Sequence, residues 1–331
     1  MKQRGATRTL LVAALYLAVL LVLGSTLIPF IGPYYTQVLI FIGINIILAV
    51  SLNLILGFAG QFSIGHAGFM ALGGYTSAAL SFYVLAPLLA GFGTGGLISA
   101  ISEPAALAVS LLVGGIAAAL AGLLVGIPTL RLRGDYLAIA TLGMGEIIRV
   151  VILNTDFVGG ARGFTDIPRW TTFTWVFLLA GLCILVVRNL IASTMGRALI
   201  AVREDEDAAA AMGINTTRHK VFAFVLGAFF AGVAGGLQAH YLQYLHTNSF
   251  TFLRSIEIVV FVVLGGGGSI TGSVIAATVL TILPEALRGA ESWRMVIYSA
   301  LLVVMMLTRP QGLMGGREFQ WSWLLPGFKK K

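Results

Sequence analysis

Three stretches of this chain carry side chains able to move a proton, pair charges or engage a partner, and all three lie in apolar surroundings. The first, "GFAGQFSIGHAGFMALGGY" from Gly57 to Tyr75, sets one imidazole, His66, among six glycines, with Gln61 and Ser63 beside it. An imidazole titrates near neutrality and can shuttle protons. No partner for the ring can be named from the sequence, so a satisfied structural histidine is the plainer reading. The second, "GDYLAIATLGMGEIIRVVILN", holds Glu146 and Arg149 three residues apart, neighbours on one helix face that neutralise each other. Such a pair either serves a function within the apolar span or snorkels from a helix end as an anchor. The third, "GRALIAVREDEDAAAAMGINTTRHK", sets Arg203 and the acidic run Glu204–Asp207 ahead of Ala208–Ala211 and then Gly213. Acidic residues suit the first turn of a short helix and glycine its end. The product is a smooth, alanine-surfaced helix, fit to dock in a groove of another protein or to lie in solvent.

Catalytic chemistry finds no support. Cys183 is the one cysteine, so intrachain disulfides and multi-thiolate metal sites are excluded. His219, His240 and His246 have no metal-type spacing with carboxylates or cysteine. A phosphate-binding loop needs Gly-Lys-Ser/Thr, and Lys2, Lys220 and Lys329–Lys331 all lie in other contexts. The chain is therefore expected to be no enzyme by itself and to hold neither metal nor ATP.

The elements that position these stretches follow from composition. Of 331 residues 58% are hydrophobic and 10% charged, and no Asp, Glu, Lys or Arg occurs between Arg8 and Glu103. A helical crossing needs about 20 apolar residues, so that run threads a bilayer several times. Stretches such as Leu107–Leu130 are apolar on every face, which excludes the alternating pattern of a membrane β-barrel. The expected fold class is all-α, polytopic, with about ten transmembrane or re-entrant helices and a range of eight to ten. Crossings are expected at Thr9–Ile31, Tyr34–Leu56, Ala67–Leu85, Leu107–Leu130, Tyr136–Leu153, Thr171–Val187 and Val221–Leu242. The final region, Ile258–Leu307, is expected to hold one full pass plus half-length pieces around Gly265–Gly268. Lys2, Arg4 and Arg8 before the first run read as the flank of an uncleaved crossing rather than of a signal peptide. The net charge of +8 reflects cytoplasmic loops that fix orientation rather than nucleic-acid binding. Both termini, Arg131/Arg133 and the loop at about 188–220 then lie inside, and Glu103 and Asp156–Arg169 outside.

Two apolar segments are interrupted by glycines, Gly57–Gly74 and Gly265–Gly272. Paired interruptions point to a transport pathway built from broken helices, although the two stretches align poorly as a repeat. Candidate pathway residues are Gly57, Gly60, Gln61, Ser63, Gly65, His66 and Gly68 in the first half, with Gly265, Gly266, Gly267 and Gly268 in the second. The competing reading is close helix packing through small residues.

All three stretches, together with "GGARGFTDIP", resemble the LivM-like permeases of branched-chain amino acid ABC importers, from about Asn45 to Leu287. The third also resembles the Glu-Ala-Ala-x-x-x-Gly coupling motif of importer permeases, reading here Asp207-Ala208-Ala209 and then Gly213, without a clear Ile-x-Leu-Pro downstream. The resemblance implies one permease domain over residues 1–331 in a bacterial inner membrane, with a cytoplasmic tail at about 309–331. It further implies a second homologous permease, two cytoplasmic ATPase subunits that bind the ATP, and a periplasmic or lipid-anchored solute-binding protein. Arg203, Glu204, Asp207, Ala208, Ala209 and Gly213 would form the ATPase-coupling segment, and leucine, isoleucine and valine the cargo. Urea, amide and other amino acid importers resemble the same stretches. A different class, an ion-coupled transporter using Glu146, Glu257 or His66, has no use for a docking helix. A receptor would need a sizeable soluble domain, which the chain lacks.

Overall fold

Pro33 opens helix α1 (Pro33–Asn53), at a position where its missing N–H leaves no helical bond unmade. The computed structural model describes residues 20, 22–24, 28–91, 97–129, 132, 134–290, 293–309, 311–315 and 318. After α1 come α2 (His66–Leu80), α3 (Leu97–Thr129), α4 (Asp135–Leu153) and α5 (Phe173–Ala192). Two short helices, α6 (Thr194–Glu204) and α7 (Glu206–Ala211), lead into α8 (Thr216–Leu242), and α9 (Phe252–Gly265), α10 (Ile270–Ala286) and α11 (Arg294–Thr308) complete the order.

Among the described residues eight helices, some with flanking turns, are long and apolar enough to cross a membrane. They are Pro33–Phe58, His66–Gly91, Ser102–Thr129, Asp135–Leu153, Phe173–Ala192, Thr216–Leu242, Thr247–Gly265 and Ile270–Gly289. The chain is an all-α, multi-pass membrane protein. Six expected crossings coincide with these helices to within a few residues. The expected first crossing, Thr9–Ile31, and the basic residues Lys2, Arg4, Arg8, Arg131, Arg133, Arg317 and Lys329–Lys331 lie largely or wholly outside the described residues. The final region differs from expectation: it divides into α9, α10 and α11, of 14, 17 and 15 residues, rather than one full pass with fragments. Positive φ at Gly266 and Gly268 forces the first division, and the polar stretch from Glu285 to Arg294 marks the second.

Two helices are central. α1 is buried nearly continuously from Ile40 to Asn53 and packs against α5, α8, α9 and α10. α8 packs against α1, α2 and α3. Both are apolar on all sides, as helices surrounded by protein are. Peripheral α4 buries only Leu137, Ala138, Thr141 and Ile152 and leaves Ile139 and Val151 exposed. α2, α3 and α8 meet through glycine. A Cβ on Gly73 would collide with the Gly232 backbone, one on Gly232 with Ala118, and one on Gly114 with the Gly73 carbonyl. Lipid tails compete with any apolar side chain, so such backbone-to-backbone contact is what holds membrane helices together.

At one end of the bundle His240 ties the connecting segments down. Its Nδ1 lies 3.0 Å from the Pro168 carbonyl, which only accepts, so Nδ1 carries the proton and Nε2 accepts. Ser77, Ser81 and Ser110 place hydroxyls 3.0–3.3 Å from Nε2, and Trp170 stacks on the ring. Phe164 pairs with Leu245 beside it. Segment Asp156–Arg169 therefore packs at the end opposite to that described next.

The three-helix contact yields a test. Gly232→Val should lose about 1–3 kcal/mol from overpacking, read as a lower unfolding midpoint in detergent. Gly143→Ala, where an added Cβ meets nothing within 4 Å, should leave the midpoint unchanged or slightly higher.

Candidate functional site

Both glycine interruptions end at one place, and the loop helix α6 reaches it. α1 runs on into a π-helical turn, Leu54–Phe58, and then into irregular chain up to His66. The α9–α10 break, Gly266 to Ser269, lies against this turn. Such interrupted backbone at membrane depth persists only when protein or water satisfies it. Two side chains do so here. Asn53, fully buried, accepts from Gly268 N at 2.9 Å and donates through Nδ2 to the Ser269 carbonyl at 2.9 Å. Arg203, at the end of α6, donates through Nη1 to the Gly57 carbonyl at 2.9 Å. Its Nε donates to Glu204 at 3.0 Å, and Nη2 contacts the same carboxylate.

The glycines make room for these groups. A Cβ on Gly57 would collide with Asn53 Oδ1 and with Gly268 N. Gly60 has φ +67°, and a Cβ there would fall 2.8 Å from Arg203 Cγ. Gly268 has φ +86°, and its Cβ would lie 3.0 Å from Arg203 Nη1. Positive φ and close approach both favour glycine. A strap from the C-terminal segment closes the cluster. Leu313 N donates to the Leu264 carbonyl and Met314 N to that of Gly265. Glu318 accepts from Ile270 N, Thr271 N and Thr271 Oγ1, capping the first turn of α10.

Of the residues singled out from sequence, Gly57, Gly60, Gly267, Gly268 and Arg203 thus come together, with Gly265 and Gly266 behind them under the strap. Gly65 and Gly68 instead face α4, where a Cβ would meet the Thr141 carbonyl and Gly145 Cα respectively. These two glycines pack helices. His66 is buried with Nε2 2.9 Å from Ser51 Oγ, a satisfied ring. Gln61 donates to the Ala59 carbonyl, and Ser63 is buried nearby. Glu146 and Arg149 pair within one turn of α4, at 2.7 Å, and both stay partly exposed. Asn53 and Glu318 were not foreseen. Amides inside an otherwise apolar run, Asn45 and Asn53, were the available signal.

The acidic–alanine stretch forms the expected short helix. Asp205 caps α7 by accepting from Asp207 N and Ala208 N at 2.9 Å. Gly213, at φ +83°, ends it with its N–H on the Ala210 carbonyl. Glu206 pairs with Lys220, which is buried at the start of α8. Ala209 faces the chain's own body, whereas Ala208, Ala210, Ala211 and Met212 are exposed. The whole arrangement links an exposed helix, through α6 and Arg203, to both interrupted membrane helices.

The family model described as branched-chain amino acid transport system / permease component matches residues 34–307. The high-affinity branched-chain amino acid transport system permease protein LivM of Salmonella typhimurium is 39% identical over 235 residues, covering 60% of this chain and 55% of the relative. LivM of Escherichia coli is 38% identical over 237 residues, 61% of this chain and 56% of the relative. The permease protein LivH of the same transport system in Salmonella typhimurium is 32% identical over 167 residues, 49% of this chain and 53% of the relative. The chain thus spans little more than half the length of these curated relatives. No solved structure matches it.

Asn53 provides the test of this site. Asn53→Ala orphans the Gly268 amide, worth about 1–3 kcal/mol when left unsatisfied away from water, while the Ser269 carbonyl keeps its bonds from Ser273. Hydrogen–deuterium exchange over residues 266–270 should then quicken roughly ten- to hundredfold, with α8 still protected. Unchanged exchange at the break would show that Asn53 does not hold it.

Proposed function

This chain belongs to the family of permease components of branched-chain amino acid transport systems, and we propose that it is one membrane-spanning subunit of an ATP-driven importer of leucine, isoleucine and valine. Its partners in this reading are a second homologous permease, two cytoplasmic ATPase subunits and an extracytoplasmic solute-binding protein. The assembly sits in a bacterial inner membrane with both chain termini cytoplasmic. The chain itself holds no catalytic group and no cofactor, and ATP is bound by the ATPases. Residues 1–331 act as one permease domain, with the loop at about 188–220 as its coupling element.

The observation that carries the reading is the hydrogen bond from Arg203 to the Gly57 carbonyl, made where the α9–α10 break lies against the same turn. An ATPase groove receives α7 through exposed Ala208, Ala211 and Met212, with Ala209 holding the helix to the chain. Closure of the ATPases on ATP displaces α7, and α6 moves with it because only Asp205 separates the two helices. Arg203 then draws on the Gly57 carbonyl and on the α9–α10 break, two places where glycine lets backbone torsions change at little expense. Access to the pathway shifts only if the ATPases engage α7 differently in their open and closed states. The proximity of Gly57, Gly60, Gly267 and Gly268 makes them the moving part of that pathway. An ion-coupled transporter leaves α7 without a purpose, so it explains less of the molecule.

Ala208→Trp and Gly213→Leu test the docking. Both should insert in the membrane normally, yet lower ATPase retention and binding-protein-stimulated ATP hydrolysis by about tenfold or more, the effect of a lost interfacial contact of 1.4 kcal/mol. Substitutions in Asp156–Arg169 should spare ATPase retention and weaken capture of the binding protein. Wild-type ATPase retention and coupling in both cytoplasmic variants would mean that α7 is a solvated loop helix.

A further inference from the structure

A cavity of about 320 Å³ lies between α1, α8, α9 and α10, apart from the glycine cluster. That volume falls at the lower end of the range typical of small-ligand pockets. Its polar wall includes Asn45, Gln238, Arg254, Glu257 and Thr281. Asn45 stands midway along the Pro33–Phe58 span, so the cavity reaches the centre of the bundle's thickness. Arg254 donates through Nη1 to Glu257 at 2.6 Å and through Nη2 to Asn45 Oδ1 at 2.6 Å, which uses two of its five donors. Asn45 Nδ2 in turn donates to Thr281 at 2.8 Å, fixing the amide's orientation. Ionised groups at this depth are retained where they meet one another or a pathway. Gln238 adds an independent sign of a ligand. It is more than nine-tenths buried, and its Oε1 has no hydrogen-bond donor among the described residues. A buried acceptor left so is destabilising by about 1–3 kcal/mol. Ser249 and Glu285 add further polar groups to the wall, and Val38, Phe41, Leu280 and Pro284 form its apolar part.

We infer that this cavity is an intramembrane binding site for a zwitterionic aliphatic amino acid in transit. The ligand's carboxylate takes the remaining donors of Arg254. Its ammonium bonds Glu257 and the open acceptor of Gln238, and its side chain lies on Val38, Phe41 and Leu280. The Arg254–Glu257 pair is thereby extended into a chain of alternating charges, so each charge of a zwitterion meets an opposite one. An anion alone would meet the carboxylates of Glu257 and Glu285 as well as Arg254. Urea satisfies the amides but has no use for the pair. This inference rests on the importer reading of the preceding subsection and adds a place where the permease itself meets the cargo.

The experiment uses the complete importer complex reconstituted in vesicles, with leucine, alanine and urea as probes. Uptake and binding-protein-stimulated ATP hydrolysis are both measured. Arg254→Gln and Gln238→Leu should lower leucine uptake by about ten- to hundredfold, in keeping with loss of a charge-assisted or otherwise buried hydrogen bond, while ATP hydrolysis continues. Leu280→Trp, which leaves every polar group in place, should shift the alanine-to-leucine uptake ratio about tenfold toward alanine. A merely structural ion pair predicts no such shift. Unchanged leucine uptake in Arg254→Gln with an unchanged ratio in Leu280→Trp would overturn the site and leave the importer reading standing. Parallel loss of uptake and ATP hydrolysis in all three variants would overturn it too, since the residues would then serve coupling. A wild-type complex that takes up urea but neither amino acid would overturn the importer reading itself, and the site with it.

Discussion

Backbone that leaves its helix inside a bilayer must find hydrogen-bonding partners within the protein, and this constraint organises the molecule. α1 gives up regular helix at Leu54, and the chain between α9 and α10 gives it up at Gly266. Each break alone would strand amides and carbonyls away from water. Placed against each other, they are held by one buried amide side chain, Asn53, on the α9–α10 break and one guanidinium, Arg203, on the Gly57 carbonyl. Glycine at 57, 60 and 268 follows from that arrangement, because a side chain at any of them would occupy the space of a partner.

The rest of the fold serves to keep the breaks in register while letting them move. α8 is locked to α2 and α3 by backbone contact at Gly73, Gly114 and Gly232, a junction with little freedom. His240 and its three serines fix the far end. α1 bridges that rigid group to α9 and α10, which carry the second break and the cavity wall. The strap of Leu313, Met314 and Glu318 gives the second break a further hold from the C-terminal segment.

Much of this was legible in the sequence because it depends on local chemistry. Apolar runs of membrane length located six helices, and the Asp–Ala–Gly pattern located α7 with its cap and its left-handed end. The Glu146–Arg149 pair followed from helical spacing. What could not be read was which glycine met which partner. Gly60 and Gly65 look alike in sequence, yet one meets Arg203 and the other meets α4. Arg203 read as part of the ATPase-coupling segment, and nothing in the sequence showed its reach to Gly57, 146 positions away. The Arg254–Glu257 pair has the same i,i+3 spacing as Glu146–Arg149, but only the tertiary fold sets it in a cavity opposite Gln238. Pairings across the fold carry no local signature, whereas the break at Gly265–Gly268 was marked by its glycines.

The central claim is that Arg203 transmits motion of the loop helices to the membrane helices, and a distance measurement addresses it most directly. Spin labels at Arg197, exposed on α6 away from the docking contacts, and at Val279, exposed on α10, would be placed in a Cys183→Ala background of the assembled complex. The account predicts that trapping the ATPases on ATP changes this distance in the parent chain. In Arg203→Met the ATPases should remain bound and close, yet α10 should keep its resting distribution relative to the bundle, altering the response of the pair. An ATP-induced change identical in the parent and in Arg203→Met would contradict the account, because α10 would then be driven by a route that does not pass through Arg203.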